Sequence, residues 1–192
     1  MTDGRTARGE RTRAAVLDAT LGLIVKHGAD AVTQRKVAVL AGVSLASTTY
    51  HFPAAADLLV AAFTEAARRS GEEFDQLADQ VEAGTLTPVE AAMAFAGRVP
   101  HGAGWAPDAI PQLFLAAAHR PPLRPIAAAY LDKMAARFTP LAGSPETALT
   151  LARALTGLIL HELERGEPRP SDTLRGDLNR LFDAFTPRDP QT

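Results

Sequence analysis

Residues 44–51 of this 192-residue sequence read SLASTTYH and bring five hydroxyl side chains and a histidine together within eight positions. Such a run offers little to a hydrophobic core and contains no obvious catalytic group, so it is either a loop or a surface presented to a partner. Hydroxyl side chains can bond to phosphates and to base edges, and Leu45 and Ala46 can contact thymine methyl groups. Nucleic-acid binding is therefore the chemistry that these residue types support.

Two short helices are expected to position this segment. Thr33 can cap the first helix, which runs to about Ala41, and Gly42 then supplies a left-handed turn that costs other residues more. The second helix runs from Ser44 to about His51 and stops before Pro53. Its N-terminus adds an attraction for phosphate.

Packing between these two helices is expected to bury one side of the second helix and to leave its other side exposed to solvent. Ala38 is small because the second helix crosses closely over the first, and Val43 fills the angle between them, as in a helix-turn-helix. A solvated helical hairpin with no partner is the alternative interpretation. The side chains left largely outward are Leu45, Ala46, Ser47, Thr49, Tyr50 and His51.

Charge is distributed unevenly along the chain. The net charge is −2, but residues 1–55 carry 7 Lys or Arg against 4 Asp or Glu, a net of +3, and the remainder carries −5. This asymmetry is expected if only the N-terminal quarter approaches phosphates. The absence of cysteine excludes disulfides and thiolate sites. No signal-like start and no run of ~20 apolar residues is present, so we expect a cytoplasmic protein without membrane association.

The rest of the sequence indicates helices and no strands. Apolar residues recur at helical spacing in about six further segments after the first three helices. Residues 97–111 are rich in Gly and Pro and are expected to form a loop. Ser144 and Pro145 are typical of a helix start. The fold class predicted is all-α, with a three-helix N-terminal helix-turn-helix domain and a larger helical bundle.

Enzyme chemistry is not indicated. The sequence HELER at 161–165 lacks the second histidine of a zinc-protease motif, and Glu72 and Glu73 are typical of a solvated helix face. There is no glycine-rich phosphate loop and no nucleophile elbow. We therefore expect no catalytic residues, no metal and no cofactor.

Residues 10–60 resemble the N-terminal domain of the TetR family of transcriptional regulators, through KHGADAVT, VAVLAGVSLASTTYHF and the DLL that leads into a long helix. The resemblance implies a DNA-binding domain at 1–54 and a ligand-binding and dimerisation domain at 55–192. It places helix capping and phosphate contacts at Thr33, Gln34 and Arg35. It places the major-groove contacts on the second short helix, where the candidate residues are Ser44, Leu45, Ala46, Ser47, Thr49, Tyr50 and His51.

Two positions depart from the family pattern. The family has a tyrosine where this chain has Thr49, and Tyr50 follows one place later. The family also has a lysine at the position of Ala55. Both departures remove expected backbone contacts, and the arginine-rich stretch GRTARGERTR at 4–13 is expected to compensate by reaching into the minor groove.

The resemblance further implies a homodimer that binds a double-stranded DNA operator and a small-molecule effector, most simply a repressor released by an apolar ligand. The alternative is a helical interaction protein or chaperone-like dimer that does not bind DNA specifically. The ligand-binding candidates are Phe63, Met93, Trp105, Phe114 and Tyr130. The dimer-interface candidates are Leu151, Leu155, Leu158, Leu178 and Phe182.

Overall fold

The computed structural model describes residues 3–98, 105–164 and 171–186, and these residues form nine α-helices and no strand. Single turns of 3-10 helix lie at Ala29–Ala31 and Pro121–Leu123. The all-α fold class predicted from the sequence is confirmed. The helices are α1 (Asp3–His27), α2 (Gln34–Ala41), α3 (Leu45–His51), α4 (Ala55–Glu82), α5 (Pro88–Arg98), α6 (Trp105–His119), α7 (Arg124–Ala142), α8 (Pro145–Glu164) and α9 (Ser171–Phe185).

The described residues form two compact units. The first contains the chain up to residue 68 together with residues 105–126, and the second contains the remainder. This division differs from the domain boundary expected after residue 54, because α4 has residues in both units and α6 packs with α1 in the first. The difference has a simple physical origin, since α6 and α1 are distant in sequence and no local pattern predicts that they pack together.

The first unit is built on the apolar stripe of α1. Val16, Leu17, Leu21 and Ile24 are all buried, as their helical spacing predicts. The arginine-rich stretch at 4–13, which is expected to reach into the minor groove, forms the first turns of α1, because this helix begins at Asp3. Alanine, arginine and glutamate in this stretch are good helix formers, although two glycines lie among them.

The second unit has a core of aromatic side chains. Phe74 lies edge to face with Phe95 at 5.8 Å and with Phe138 at 5.4 Å between ring centroids. Phe138 in turn meets Phe182 at 6.2 Å. Such tilted pairs are the preferred geometry for aromatic rings, and they link α4, α5, α7 and α9.

Local capping sets where helices of the second unit begin. At α5, the Glu90 carboxylate accepts from the Thr87 amide at 2.8 Å, and the Thr87 hydroxyl accepts from the Glu90 amide at 3.2 Å. This reciprocal pair is a capping box, and its hydrogen bonds lower the pKa of Glu90. At α8, the Ser144 hydroxyl accepts from the Thr147 amide at 3.2 Å, which confirms the predicted start.

The loop expected at residues 97–111 is wrong at both ends, because residues 97 and 98 belong to α5 and residues 105–111 belong to α6, while residues 99–104 lie outside the described part. Helix α6 begins at Trp105 and includes Pro107 and Pro111. Pro107 lies in the first turn, where a proline removes no hydrogen bond because the N–H groups there have no partner within the helix. The Gly and Pro content of the segment was therefore a poor guide to its helix start. The described helices include none with the length and apolarity needed to span a bilayer.

Candidate nucleic-acid interface and ligand cavity

The turn between α2 and α3 has the geometry that the sequence predicts. Gly42 has a φ of 65° and a ψ of 30°, in the left-handed region. The Val43 amide donates to the Ala38 carbonyl at 3.0 Å, and Ala38 is buried where the helices cross. The Ser44 hydroxyl accepts from the Ser47 amide at 3.0 Å, so Ser44 is the N-cap of α3. These contacts fix the direction of α3 through backbone groups rather than through bulky side chains.

Helix α3 has one buried side and one side open to solvent. Thr48 is fully buried against the unit, whereas Tyr50 is 83% exposed. Leu45 and Ala46 are exposed as well, and Ser47, Thr49 and His51 are half-buried. Six of the residues predicted for the major groove therefore share the accessible part of one short helix. The Thr49 hydroxyl donates to the Ala46 carbonyl at 3.1 Å, which restrains this side chain.

Gln34 has a role that the sequence did not indicate. Its side-chain amide donates to the Phe52 carbonyl at 2.6 Å and to the Pro53 carbonyl at 2.9 Å. These groups follow the C-terminal end of α3, where helix carbonyls lack partners. Gln34 therefore holds the end of α3 to the start of α2, and its amide nitrogen is engaged within the protein rather than presented to a phosphate.

Phe52 anchors the same end of α3 from the other side. Its ring is buried, and the Arg13 guanidinium lies 5.6 Å from the ring centroid. That distance is within the range of a cation–π contact. Arg13, expected in the minor-groove arm, thus contacts the helix-turn-helix itself in this structure.

The electrostatic character of α2 and α3 favours an anion. The sequence has no Asp or Glu between Asp30 and Asp57. Arg35 and Lys36 are exposed in the first turn of α2, next to Thr33, whose hydroxyl accepts from the Lys36 amide at 3.3 Å. Two cations beside a helix start and an exposed hydroxyl-rich helix form a surface suited to a phosphate backbone.

An apolar groove lies elsewhere in the first unit. Val39 and Leu40 of α2 are 75% and 60% exposed, and with Leu23 they line a depression whose charged neighbours include Lys26 and Arg35.

The second unit contains a cavity of about 280 Å³. Its walls are mostly apolar, and among the described residues of its lining the charged ones are Glu82 and Arg137. Its aromatic lining residues come from four helices, so no local sequence pattern could have identified them. They are Phe74, Phe95, Phe138 and Phe182.

The four ligand-binding candidates whose side chains the structure describes do not line this cavity. Phe63 is fully buried in the first unit, and Phe114 is half-buried there. Met93 is half-buried in the second unit, and the side chain of Trp105, at the start of α6, lies outside the described part. Tyr130 is a core residue.

Tyr130 is held by a buried hydrogen bond. Its hydroxyl lies 2.9 Å from the Ser70 hydroxyl, which is also buried. Burial raises the pKa of Tyr130 to about 12, because the phenolate would lose its hydration. The pair joins α4 to α7 within the second unit.

Four of the five dimer-interface candidates are core residues of the chain itself. Leu151, Leu155, Leu178 and Phe182 are each at most 5% exposed, which corrects the expectation that their side chains face a partner. The packing of α8 against α9 already covers them. Leu158 is half-buried, as are Ile159 and Leu160, so the last turns of α8 carry apolar side chains that their own chain covers only in part.

No metal site is found among the described residues, since no group of three His, Cys, Asp or Glu side chains is arranged to hold an ion. Residues 161–164 of the HELER segment lie at the end of α8, where His161 is exposed, and Arg165 lies outside the described residues.

Comparison with protein-family models gives two matches. Residues 16–62 match the family described as bacterial regulatory proteins, tetR family. Residues 109–186 match the tetracyclin repressor-like, C-terminal domain. Among curated protein sequences, none matches this chain.

Solved structures extend the likeness over nearly the whole chain. The multidrug binding protein EbrR complexed with imidazole is 30% identical, with 93% of this chain and 97% of that chain covered and a TM-score of 0.71. EbrR complexed with ethidium is 30% identical over 92% and 99% of the two chains, with a TM-score of 0.68. A TetR-family member from Streptomyces coelicolor A3 is 29% identical over 92% and 99%, with a TM-score of 0.73. The helix-turn-helix geometry, both family models and these structures lead to one conclusion: the chain belongs to the TetR family of bacterial transcriptional regulators.

Proposed function

We propose that this regulator is a homodimeric repressor that binds a palindromic operator through α3 and is released by a small, mainly apolar ligand. The observation that carries the DNA-binding part is the exposed face of α3, which has hydroxyl and aromatic side chains and no acidic neighbour in the sequence between Asp30 and Asp57. Arg35 and Lys36 provide phosphate contacts that hold the helix in register, while base contacts come from α3. Ser44 and Gln34 position that helix from its two ends.

The proposed dimer follows from apolar residues of α8 that remain partly exposed. Leu158, Ile159 and Leu160 are only partly covered by their own chain, and a second subunit would cover them. Two α3 helices about one DNA turn apart, ~34 Å, require an imperfect palindrome as the binding site.

The proposed effector site is the cavity of the second unit. EbrR is described as a multidrug binding protein and has been solved with imidazole and with ethidium, and this supports an aromatic ligand for the present chain. Helix α4 supplies Phe74 and Leu77 to the cavity. A ligand can shift the DNA-binding state only by its different affinity for the two states, and displacement of α4 is the change that we propose it favours.

One observation favours the alternative function, a helical interaction protein that does not bind DNA specifically. The exposed Val39 and Leu40 form an apolar surface on α2, and such surfaces are typical of protein contacts. A repressor with an additional protein partner would also show this feature, so the surface alone does not displace the DNA-binding proposal.

The deciding experiment is selection of binding sites from random duplex DNA by the purified protein, followed by affinity measurements at several salt concentrations. We expect an enriched imperfect palindrome, bound by a dimer, with affinity that falls as salt rises. Absence of any enriched sequence, with weak and uniform binding to all duplexes, would support the alternative.

A further inference from the structure

The two charged residues in the cavity lining differ in how far their charge is already neutralised. Arg137 is 26% exposed and faces acidic residues of α4. Its guanidinium forms an ion pair with Asp79, and its Nε lies 3.8 Å from an Asp75 carboxylate oxygen. One of its terminal nitrogens also donates to the Asp75 carbonyl at 3.4 Å. The positive charge of Arg137 is therefore matched by α4 itself.

The Nε–H of Arg137 does not offer a site for a ligand acceptor. This nitrogen is buried and makes no hydrogen bond. Because the atom is inaccessible, a carboxylate or carbonyl in the cavity would have to displace the α4 ion pairs to reach it. Burying a second anion beside those acidic side chains would be unfavourable.

Glu82 is the least neutralised charge at the cavity. Its side chain is 57% exposed, and its carboxylate lies 3.5 Å from Arg137 Nη1. Asp75, by contrast, has Lys133 Nζ at 2.8 Å. The cluster of Asp75, Asp79, Glu82, Lys133 and Arg137 therefore has a net charge of −1. Asp79 is more exposed than Glu82, at 67%, but it pairs with Arg137 away from the cavity lining, and Glu82 is the carboxylate of this cluster that lines the cavity.

The surroundings have the same sign. Residues 69–104 and 127–192 contain 10 Lys or Arg against 15 Asp or Glu, so the second unit is acidic. An acidic field concentrates cations near a carboxylate. Aromatic walls favour the same ligands, because a cation is attracted to the face of an aromatic ring and a fused ring system fills an apolar cavity.

We propose that the cavity selects an aromatic cation, with its rings among the four phenylalanines and its positive group at Glu82. This inference rests on the proposed function in taking the cavity as the effector site. Glu82 is then the residue that determines charge specificity, and the phenylalanines determine the affinity that is common to all aromatic ligands.

The test uses three probes with one ring system and different charges at about pH 8: 9-aminoacridine as cation, acridine as neutral compound and acridine-9-carboxylate as anion. Fluorescence titration of the purified protein at low salt gives each affinity. We expect the cation to bind at least ~10-fold more tightly than acridine, and the anion to bind most weakly.

Variants assign this preference to Glu82. Glu82→Gln should weaken 9-aminoacridine binding by roughly 5- to 20-fold and leave acridine binding unchanged. Glu146→Gln is the matched control, because it removes one exposed carboxylate of α8 that does not line the cavity, and it should change neither affinity. Equal affinities for the three probes, or an unchanged cation affinity in Glu82→Gln, would overturn the proposal.

Measuring release of the operator DNA distinguishes a failure of this inference from a failure of the proposed function. Since 9-aminoacridine also binds DNA, release is compared between wild type and Glu82→Gln at equal probe concentration. If acridine binds and causes release of the operator, but 9-aminoacridine binds no more tightly than acridine, the cavity is the effector site and the proposed charge selection is wrong. If the cation binds through Glu82 without changing operator affinity, the charge selection stands and the effector role is wrong.

Discussion

Gln34 distinguishes a residue that positions the DNA-reading helix from one that touches DNA. Its amide nitrogen donates to the carbonyls of Phe52 and Pro53 at 2.6 and 2.9 Å. A neutral hydrogen bond contributes about 0.5–1.5 kcal/mol net, and one of the two is solvent-exposed. We therefore expect Gln34→Leu to destabilise the end of α3 by about 1–2 kcal/mol, which corresponds to roughly 5- to 30-fold faster amide exchange there.

Hydrogen exchange followed by NMR on the whole protein measures this effect at α3 directly. The Thr48 and Phe52 amides are suitable reporters, because both donate to backbone carbonyls in or next to α3. Arg35→Leu is the control, since Arg35 is exposed and its replacement should change local stability by less than about 0.5 kcal/mol. Arg35→Leu should instead reduce the salt dependence of DNA binding by about 0.9 in log–log slope for each phosphate that is no longer neutralised. Unchanged α3 exchange in Gln34→Leu, combined with weaker DNA binding, would refute the positioning role and return Gln34 to the DNA-binding residues.

Three further predictions address the dimer, the buried tyrosine and the missing lysine. Leu158→Glu should sediment as a monomer at micromolar concentration, because a charge would be buried between the subunits. The control variant Thr150→Glu changes an exposed residue and should remain dimeric, and a dimeric Leu158→Glu protein would refute the proposal that α8 forms the interface. The raised pKa of Tyr130 means that the folded state binds the phenol proton more tightly than the unfolded state, so its contribution is complete below pH 10 and is lost as pH rises towards 12. The free energy of unfolding should fall by about 3 kcal/mol over this pH range because of Tyr130. Urea denaturation should show this loss in the wild type but not in Tyr130→Phe, and an equal pH dependence of the two proteins would contradict the prediction. Ala55→Lys should steepen the salt dependence by ~0.9 per subunit for operator and random DNA alike, and an unchanged slope would place the start of α4 away from the DNA backbone.

The helix-turn-helix was predictable because its determinants are local. The Thr33 cap, the Gly42 turn and the Ser44 cap each act within a few residues, and the spacing of Ala38 to Val43 fixes the crossing. The resemblance to the TetR family then indicated that α3 is the helix that contacts DNA. The hydrogen bonds of the Gln34 side chain could not be predicted, since its two acceptors lie 18 and 19 residues away.

The cavity and the α8 surface could not be predicted because they depend on tertiary packing. The cavity is formed where phenylalanines from α4, α5, α7 and α9 meet, and each of these residues has ordinary core spacing in its own helix. Likewise, the sequence pattern shows that apolar residues occupy more than one face of α8, but it does not predict which of these faces packs against the rest of the same chain. Leu155 is 2% exposed and Leu158 is half-exposed, although both looked alike in the sequence.

The proposal that the exposed face of α3 reads DNA sequence can be tested by the ratio of affinities for the selected palindrome and for random duplex. Tyr50 is 83% exposed, so Tyr50→Ala should leave the fold and the oligomeric state intact. Leu115→Ala, at a 58% exposed position of α6, controls for removal of a large surface side chain. We predict that Tyr50→Ala lowers the ratio by roughly 5- to 150-fold, since a base contact contributes about 1–3 kcal/mol, and that Leu115→Ala leaves it unchanged. A folded, dimeric Tyr50→Ala protein with the wild-type ratio would show that α3 does not read the operator through this face.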